Sequence, residues 1–353
     1  MGLDDLGVQT AVIAVNDSSF DDWITGIAPD VVIFDRFMTE EQFGWRVAKQ
    51  CPDALRVLDT SDLHCLRVAR EKSLKDGAPP KLHNETAVRE IASIYRSDLT
   101  LMISEYEMQI LKDTFGIVEP LVAYWPFSMT TNQAPMPDYE MRQHCIMIGS
   151  FMHPPNLDAA RWCKREIWPL VRKRLPHVEL HCYGSYGDKY TSELHAPDKG
   201  FHFKGRAEDA LKTMAKYRLN LATLRYGAGL KGKVFDGFAT ETPTIMTPVA
   251  AEGICDTGEW GGAISDDPQV IADAIVELYT DAAQWKETQC KEHATCQSRF
   301  NQNHWIPKLP NILEAALAQI DQAREANFIG QMLNHHHHRS TEFMSRWIEA
   351  KNG

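Results

Sequence analysis

Short apolar runs alternate with helix-length amphipathic segments through the first third of the chain. Runs this short, with few polar positions inside them, are typical of strands buried on both faces of a parallel sheet. Their regular alternation with helices predicts an α/β domain. The predicted strands of this part are QTAVIAV, DVVIF, ALRVL, LTLMI and PLVAYW.

The alternation stops at a polar, proline-bearing stretch over residues 126–143, which predicts an interdomain linker. It then restarts, with HCIMIGS, VELHCYG, FHFKG, LNLATL and TIMT as predicted strands, and becomes wholly helical after GGAIS. We therefore predict a first domain over residues 1–125, a second over 144–325, and a tail over 326–353. The amphipathic helix STEFMSRWIEAK in that tail could return to the first domain.

Capping signals mark the starts of two helices in the first domain. Thr39-x-x-Gln42 and Ser104-x-x-Glu107 both fit the capping box.

Two doubly wound, Rossmann-like α/β domains would leave a cleft between the carboxyl ends of their strands, where ligands bind. The helices predicted in the second domain run from about Asn156 to Leu175, Glu208 to Tyr217 and Leu230 to Thr240.

Composition restricts the class of protein. A chain of 353 residues with 44% apolar and 24% charged residues is typical of a globular protein with two cores. A formal charge of -11 argues against a nucleic-acid partner. No apolar run reaches the length needed to span a bilayer, and no secretion-signal pattern opens the chain, so we expect a cytoplasmic location.

The cysteines and the histidine tract lack the spacing of metal ligands. The eight cysteines are scattered with no C-x-x-C pair, so we expect reduced, apolar side chains. His335 to His338 have no cysteine or acidic partner at ligand spacing, and we expect neither a metal site nor a cofactor.

The richest segment is LATLRYGAGLKGKVFDGFATETPTIMTPVAAEG, which places a glycine turn between a buried strand and a helix. Gly227 and Gly229 let a ligand approach the main chain. The helix N-terminus favours negative charge, and Lys231 and Lys233 add positive charge there. The segment therefore predicts a diphosphate site.

Two other interpretations of this segment remain open. Lys233 and Asp236, three residues apart, could form an ordinary surface ion pair. Gly227, Gly229 and Gly232 also spell G-x-G-x-x-G, with Glu252 some twenty residues later, which would suit a nicotinamide dinucleotide. Glu252, however, lies beyond the second strand rather than at its end.

Several motifs follow one another in the order of a known family. They are G-S-F-x-x-P-P-N, G-x-x-x-x-L, G-x-G-L-K-x-K-V and P-x-x-x-T-P-x-A-x-E-G, spread over about residues 145–254. This segment resembles the donor-binding domain of GT-B glycosyltransferases of the family-4 retaining kind. The first half, with PDVVIF, RVLDTSDLH and DLTLMISEYE, is similar to the acceptor-side domain of that family.

The resemblance implies transfer of a sugar from a nucleotide-diphosphate sugar, without a metal and with retention. Lys231, Lys233 and the helix N-terminus would meet the charge of the leaving diphosphate. The family's pattern gives Asp236 the donor ribose and places His64 near the reacting carbon. The further donor-binding positions that we predict are Gly149, Ser150, Gly205, Arg206, Gly227, Ala228, Gly229 and Glu252.

The chain departs from the family's pattern in two ways, and His64 has an alternative interpretation. The family's glutamate eight positions before Asp236 falls on Ala228, which would leave sugar recognition to the backbone amides of the glycine turn. His64 alternatively sits in a first helical turn behind an N-cap at Ser61 or Asp62. The family's opening βαβ element is expected to be missing, through a truncated gene model or in an incomplete relative, which would expose a sheet edge.

Several function classes therefore stay open. The chain is expected to be a glycosyltransferase whose acceptor is a glycan, a lipid-linked sugar, a protein or a metabolite. A catalytically impaired relative that binds nucleotide sugars is the first alternative, and a nicotinamide-dependent oxidoreductase is the second. The sequence does not name the sugar, the base or the acceptor.

Overall fold

The computed structural model describes residues 3–130, 135–255 and 260–352. Four parallel strands form the first sheet, in the order β1-β2-β3-β4. The strands are β1 (Val31–Asp35), β2 (Leu55–Asp59), β3 (Leu99–Met102) and β4 (Val122–Tyr124). The helices of this part are α1 (Ser19–Ile27), α2 (Arg36–Gln50), α3 (His64–Asp76), α4 (Glu85–Arg96) and α5 (Glu105–Phe115).

Five parallel strands form the second sheet, in the order β7-β6-β5-β8-β9. These are β5 (Gln143–Ile148), β6 (Leu180–Tyr183), β7 (Phe201–Gly205), β8 (Tyr217–Ala222) and β9 (Thr244–Met246). The helices of this part are α6 (Pro154–Trp162), α7 (Trp168–Arg174), α8 (Thr191–Leu194), α9 (Ala210–Met214), α10 (Gly232–Ala239) and α11 (Pro248–Ala251).

The rest of the chain is helical and covers parts of both sheets. It forms α12 (Pro268–Thr280), α13 (Ala282–Phe300), α14 (Gln302–Trp305), α15 (Lys308–Ala318), α16 (Ile320–Ala326) and α17 (Phe328–Asn352). Helices α12 and α13 pack into the large core of the second sheet. Helices α15 and α16 instead lie on β2 and β3 of the first sheet, and α17 lies against α2 and α4.

The first sheet is therefore covered on its two faces by different parts of the chain. One face packs on helices of residues 19–117, and the other receives Ile312, Leu313 and Ile320 from the C-terminal helices. Arg324 fixes this arrangement, since its guanidinium donates to Asp98 Oδ2 at 2.7 Å and to the carbonyl oxygen of Ala54 at 2.8 Å.

Apolar runs correctly predicted nine strands, but the first predicted strand, QTAVIAV, is wrong. Residues 9–15 are irregular and mostly exposed, with Val12 fully exposed. A strand needs a neighbour for its backbone hydrogen bonds. Within the described residues, β1 pairs only with β2, so the outer edge of β1 is open and Ile33 is half exposed. The predicted absence of an opening βαβ element stays a prediction.

Two helix predictions are corrected by local chemistry. The predicted 156–175 helix starts at Pro154, and its turns over Cys163–Ile167 are π-helical. Pro169 in the next turn cannot donate to residue 165 and would clash with its carbonyl, which a wider turn relieves. Thr39 is not an N-cap, because α2 begins at Arg36 and the Thr39 hydroxyl donates to the carbonyl of Asp35 at 2.6 Å.

The predicted fold class is confirmed as two parallel α/β sheets followed by a helical C-terminal segment. Among the described helices none is both long and apolar enough to cross a membrane. The domain boundaries and the linker stay predictions, and residues 131–134 of that linker lie outside the described residues. None of the eight cysteines, all of which lie within the described residues, forms a disulfide.

A buried ion pair between α2 and α4 gives a stability prediction. Glu40 and Arg96 have side chains only 3% exposed, joined by an Nε–Oε1 contact of 3.0 Å. Arg96→Met strands a buried carboxylate, and we expect a loss of about 3–5 kcal/mol in the free energy of unfolding. Replacing both partners by Met should recover most of that loss. Urea denaturation measures the free energy of unfolding of the native chain, of Arg96→Met and of the double variant.

The control is the neighbouring, more exposed pair of the same two helices, Glu41 and Arg89, whose side chains are 19% and 54% exposed. Arg89→Met should cost less than about 1 kcal/mol, because solvent screens an exposed pair. An equal cost at Arg89 and Arg96, or a double variant as unstable as Arg96→Met, would contradict the prediction.

Candidate functional site

A cavity of about 400 Å³ lies between the carboxyl ends of the two sheets. Ligands of α/β proteins bind at such strand ends. Its first wall follows β1 and β2, and its second wall follows β5 and β8. The lining residues are Asp35, Arg36, Ser61, Asp62, His64 and Arg67 on the first wall, and His153, Pro155, Asn156, Leu224, Gly227, Ala228, Leu230, Lys231, Gly232 and Lys233 on the second.

The glycine turn meets the first wall at very short range. Gly229 has a positive φ of 64°, and a Cβ atom on it would lie 2.7 Å from the Cβ of Asp62 and 2.9 Å from the carbonyl oxygen of Ser61. Only glycine fits there, for both its backbone angle and its space. The turn predicted to receive a ligand is therefore also the point at which the two halves of the chain touch.

Lys231 and Lys233 both line the cavity, but they differ in their partners. Lys231 is buried and its amine donates to the carbonyl oxygen of Gly229. Burial lowers the pKa of Lys231, while the charges of Glu252 and Glu107 oppose that shift. Lys233 donates to Asn156 Oδ1 at 2.6 Å, and burial lowers its pKa to about 8.

The alternative of a surface ion pair between Lys233 and Asp236 does not hold. The amine of Lys233 is directed to Asn156, and Asp236 is half-buried in α10. Burial raises the pKa of Asp236, which the charge of Lys233 only partly offsets. Asp236 is not among the residues that line the cavity, so its predicted ribose contact stays a prediction.

His64 is the first residue of α3, and its ring lines the cavity. The N-cap is Leu63 rather than Ser61 or Asp62, and the amides of His64 and Cys65 each donate to Glu90 at 2.7 Å. A carboxylate from α4 thus replaces the usual local cap. In the sequence, His64 is simply the start of a helix. In the structure, it lines the cavity together with residues of the second wall.

Asp62 orients the imidazole of His64. Its Oδ1 lies 3.1 Å from His64 Nε2, and its Oδ2 accepts from Arg67 Nη1 at 2.5 Å. Burial alone would raise the pKa of Asp62, but the hydrogen bond to His64 and the charge of Arg67 lower it overall. The carboxylate is therefore held ionised beside the ring.

The remaining predicted loop residues lie outside the cavity lining. The Gly149 amide donates to the carbonyl of Tyr183 at 3.1 Å, and the Ser150 carbonyl accepts from Asn156 Nδ2 at 2.8 Å. Gly205 is the last residue of β7 and has a positive φ of 69°, and Arg206 is exposed. All four lie at carboxyl ends of second-sheet strands, and their ligand contacts stay predictions.

Glu252 is bound by the first domain. Arg70 of α3 donates to its two carboxylate oxygens at 2.7 and 2.6 Å, and to the Gly227 carbonyl at 2.9 Å. A carboxylate that binds the ribose of a nicotinamide dinucleotide would need free oxygens at the end of β9. Glu252 instead follows α11, and both of its carboxylate oxygens accept hydrogen bonds from Arg70. The geometry disfavours the nicotinamide interpretation. The sequence does not single out Arg70, because an arginine within a predicted helix carries no signal of a partner far along the chain.

Glu107 is a second residue that sequence reasoning missed. The sequence predicts Glu107 at position N3 of a capping box, but the residue is only 1% exposed and the Ser104 side chain makes no capping hydrogen bond. Its Oε1 accepts from the Gly229 amide at 2.5 Å and its Oε2 from the Leu63 amide at 3.2 Å. Glu107 thereby ties together the two loops that form opposite walls of the cavity.

The contacts of Glu107 change the expectation for sugar recognition. The Gly229 amide is already bound, so it does not stand free for a hydroxyl in this conformation. Ala228, where the family has glutamate, packs against the apolar core of the first domain. A carboxylate reaches this turn from the opposite domain rather than from within the turn.

The architecture is that of the GT-B class, two Rossmann-like sheets facing one cleft. TarM of S. aureus, as a variant in complex with fondaparinux, a GlcNAc-glycerol and UDP, superposes with a TM-score of 0.65 at 15% identity, over 83% of this chain and 58% of that chain. The pneumococcal O-GlcNAc transferase GtfA, with UDP and GlcNAc, gives 0.64 at 14% identity, over 84% and 60%.

HepE of Anabaena, with UDP and glucose, gives a TM-score of 0.62 at 13% identity and covers 91% of this chain and 87% of that one. The chain spans about three fifths of the length of TarM and GtfA. At these identities the likeness shows the fold. No curated protein matches the chain in sequence.

A family match covers part of the second half of the chain. Residues 142–281 match the family described as glycosyl transferases group 1. The recognition made from the glycine turn and its neighbouring motifs is thereby confirmed. The retaining subtype stays a prediction.

The buried position of Glu107 predicts a pH-dependent stability. Burial raises its pKa to about 7, so the folded protein holds this proton more tightly than the unfolded chain, in which a glutamate titrates near 4.3. The stabilising contribution is present below that lower pKa and is lost as the pH rises towards 7. The free energy of unfolding of the native chain minus that of Glu107→Gln should fall across this window.

Urea denaturation at a series of pH values measures that difference. Glu105→Gln is the matched control, because Glu105 lies on the same helix with an exposed side chain. Its difference from the native chain should not fall over the same window. A difference for Glu107→Gln that does not fall either would show that Glu107 does not carry the effect.

Proposed function

We propose that the chain is a glycosyltransferase that moves a sugar from a nucleotide-diphosphate sugar to an acceptor, with retention and without a metal. The observation that carries this proposal is the cavity between the two sheets, whose second wall combines the glycine turn, the N-terminus of α10, and the amines of Lys231 and Lys233. The match of residues 142–281 to the group 1 family supports it.

The charge at this wall suits a departing diphosphate. Breaking the sugar–phosphate bond builds negative charge on the leaving group, and preorganised positive groups must meet it. Lys233 has a pKa of about 8 and is therefore mostly protonated at neutral pH. The helix N-terminus adds a fixed positive partial charge. These groups would supply the charge stabilisation that a metal ion supplies in other transferases.

Solved structures of the same fold contain the expected kind of ligand. TarM carries UDP, GtfA carries UDP with GlcNAc, and HepE carries UDP with glucose. The shared fold supports binding of a similar nucleotide by this chain. We extend to this chain only the ligand class, a nucleotide diphosphate with its sugar.

The first wall would serve the acceptor side. His64, oriented by the ionised Asp62, lines the same cavity as the two lysines, which suits a role beside the reacting carbon. Asp236 would contact the donor ribose, and Gly149, Ser150, Gly205 and Arg206 would contact the remaining parts of the nucleotide. The acceptor class and a cytoplasmic location stay predictions from the sequence.

A nucleotide-sugar-binding protein with impaired catalysis is the second candidate. Two observations favour it: Ala228 replaces the family's carboxylate, and the Gly229 amide is engaged by Glu107. Both candidates require donor binding, and they differ in turnover. Measured transfer of the donor sugar to any acceptor would eliminate the second candidate.

A thermal-shift panel tests the proposed ligand class. UDP-, GDP- and dTDP-sugars are compared with NAD and NADP, because a ligand that binds the folded state raises the melting temperature. We expect at least one nucleotide sugar to raise it and both nicotinamide cofactors to leave it unchanged. A rise with NAD alone would overturn the glycosyltransferase proposal.

Lys231→Ala tests the phosphate contact. We expect it to weaken binding of the nucleoside diphosphate that is active in the panel by about 10- to 100-fold, the equivalent of one hydrogen bond to a charged group. Binding of the parent nucleoside should change much less. Titration calorimetry measures both, with the exposed Lys173→Ala as the matched control. Equal weakening of nucleoside and diphosphate would remove Lys231 from the phosphate site.

A further inference from the structure

A cluster of imidazole and carboxylate groups lies at the opposite end of the second sheet from the cavity. His181 of β6 and His202 of β7 are register partners, and Glu179 stands two residues before His181. Side chains two apart on a strand share a face, as do register partners on neighbouring strands. The sheet therefore brings these three metal-ligand types together near the amino ends of its strands.

The distances within the cluster are close to those around one bound ion. Glu179 Oε2 lies 2.7 Å from His181 Nε2 and 3.5 Å from His202 Nε2, and the three ligand atoms all lie within 4.8 Å of one another. Ligands that each sit about 2.0–2.1 Å from a tetrahedral zinc ion are about 3.3 Å apart. Small side-chain shifts would therefore suffice to enclose an ion.

The hydrogen bonds behind the cluster suit metal ligation. His181 Nδ1 lies 2.6 Å from the hydroxyl of Tyr217, which lies 3.0 Å from that of Tyr183. If His181 donates from Nδ1, its Nε2 lone pair faces the Glu179 oxygen. Two acceptors at 2.7 Å repel each other unless a cation lies between them. A hydrogen bond from the ring nitrogen that does not bind the metal, here His181 Nδ1 to the Tyr217 hydroxyl, typically fixes the tautomer of a ligating histidine.

His202 provides an independent observation. Its Nε2 atom is buried and makes no hydrogen bond to any residue that the structure describes, although it points towards Glu179. A buried polar nitrogen without a partner is costly. His144 plays a different part, because its Nδ1 accepts from the Glu179 amide and leaves only an N–H on the side of the carboxylate.

We propose that Glu179, His181 and His202 bind one divalent cation of the zinc class, with water in the fourth position. Two imidazoles and one carboxylate without a thiolate suit such borderline cations. The side chains are 35%, 12% and 15% exposed, so an ion can enter from solvent. The ion would join β7, the edge strand of the sheet, to β6. This proposal does not rest on the proposed function.

The test must separate this site from the histidine tract. His335 to His338 could bind the same ions, so the experiment uses the full chain with these four residues replaced by glutamine. After removal of metal with a chelator, zinc is titrated calorimetrically, and cobalt is used as a visible-absorption probe of a low-symmetry site. We expect one equivalent of zinc and a rise in melting temperature on its addition.

We introduce His181→Gln and His202→Gln separately into the chain without its histidine tract. Each variant should lose the bound equivalent of zinc and the rise in melting temperature on addition of zinc. The matched control is His177→Gln, an exposed imidazole on the approach to β6, which should keep both. Because the readout is the difference with and without zinc, a variant that is merely less stable remains interpretable.

Three outcomes would overturn the proposal. One is no stoichiometric zinc binding by the chain without its histidine tract. Another is unchanged binding in His181→Gln and His202→Gln. The third is a loss of stability in those variants that is the same with zinc and with chelator, which would identify the cluster as a hydrogen-bonded network in which His181 donates to Glu179.

Discussion

A single buried carboxylate holds the two walls of the cavity together. The carboxylate of Glu107 accepts one hydrogen bond from an amide of the loop after β2 and another from an amide of the glycine turn after β8. The residue is almost fully buried. An uncompensated carboxylate there would be expensive, so the two amides must stay in place whenever the group is charged. The close contact of Gly229 with Asp62 and the ion pair of Arg70 with Glu252 depend on the same approach of the two loops.

The C-terminal helices add a second constraint on the relation between the domains. Helices α15 and α16 complete the core on one face of the first sheet, and Arg324 secures them through Asp98. The chain thus forms the first sheet, then the second sheet, and its C-terminal helices pack back on the first sheet. Two crossings limit how the domains can separate, and they explain why residues far apart in sequence face each other across the cavity.

Burial has moved several ionisable groups of the site towards neutrality. The pKa of Lys233 falls to about 8, that of Glu107 rises to about 7, and that of Asp236 also rises, in each case because burial disfavours the charged form. Groups with shifted pKa values gathered around one cavity are typical of functional sites. The same shifts make the charge of this cavity sensitive to pH near neutrality and to a charged ligand.

The sequence by itself determined nine strands and the resemblance of residues 142–281 to group 1 glycosyl transferases, and it predicted a phosphate site at the glycine turn. These features are local, because short apolar runs, a glycine turn and lysines at a helix start carry their information within a few dozen residues. It failed at QTAVIAV, whose composition suits a strand but which has no neighbour to pair with among the described residues. Only the tertiary structure placed Glu107 and Arg70 at the turn and gave Glu252 a partner. Their contacts join residues more than one hundred positions apart, and such pairings depend on how the two domains pack rather than on any local pattern.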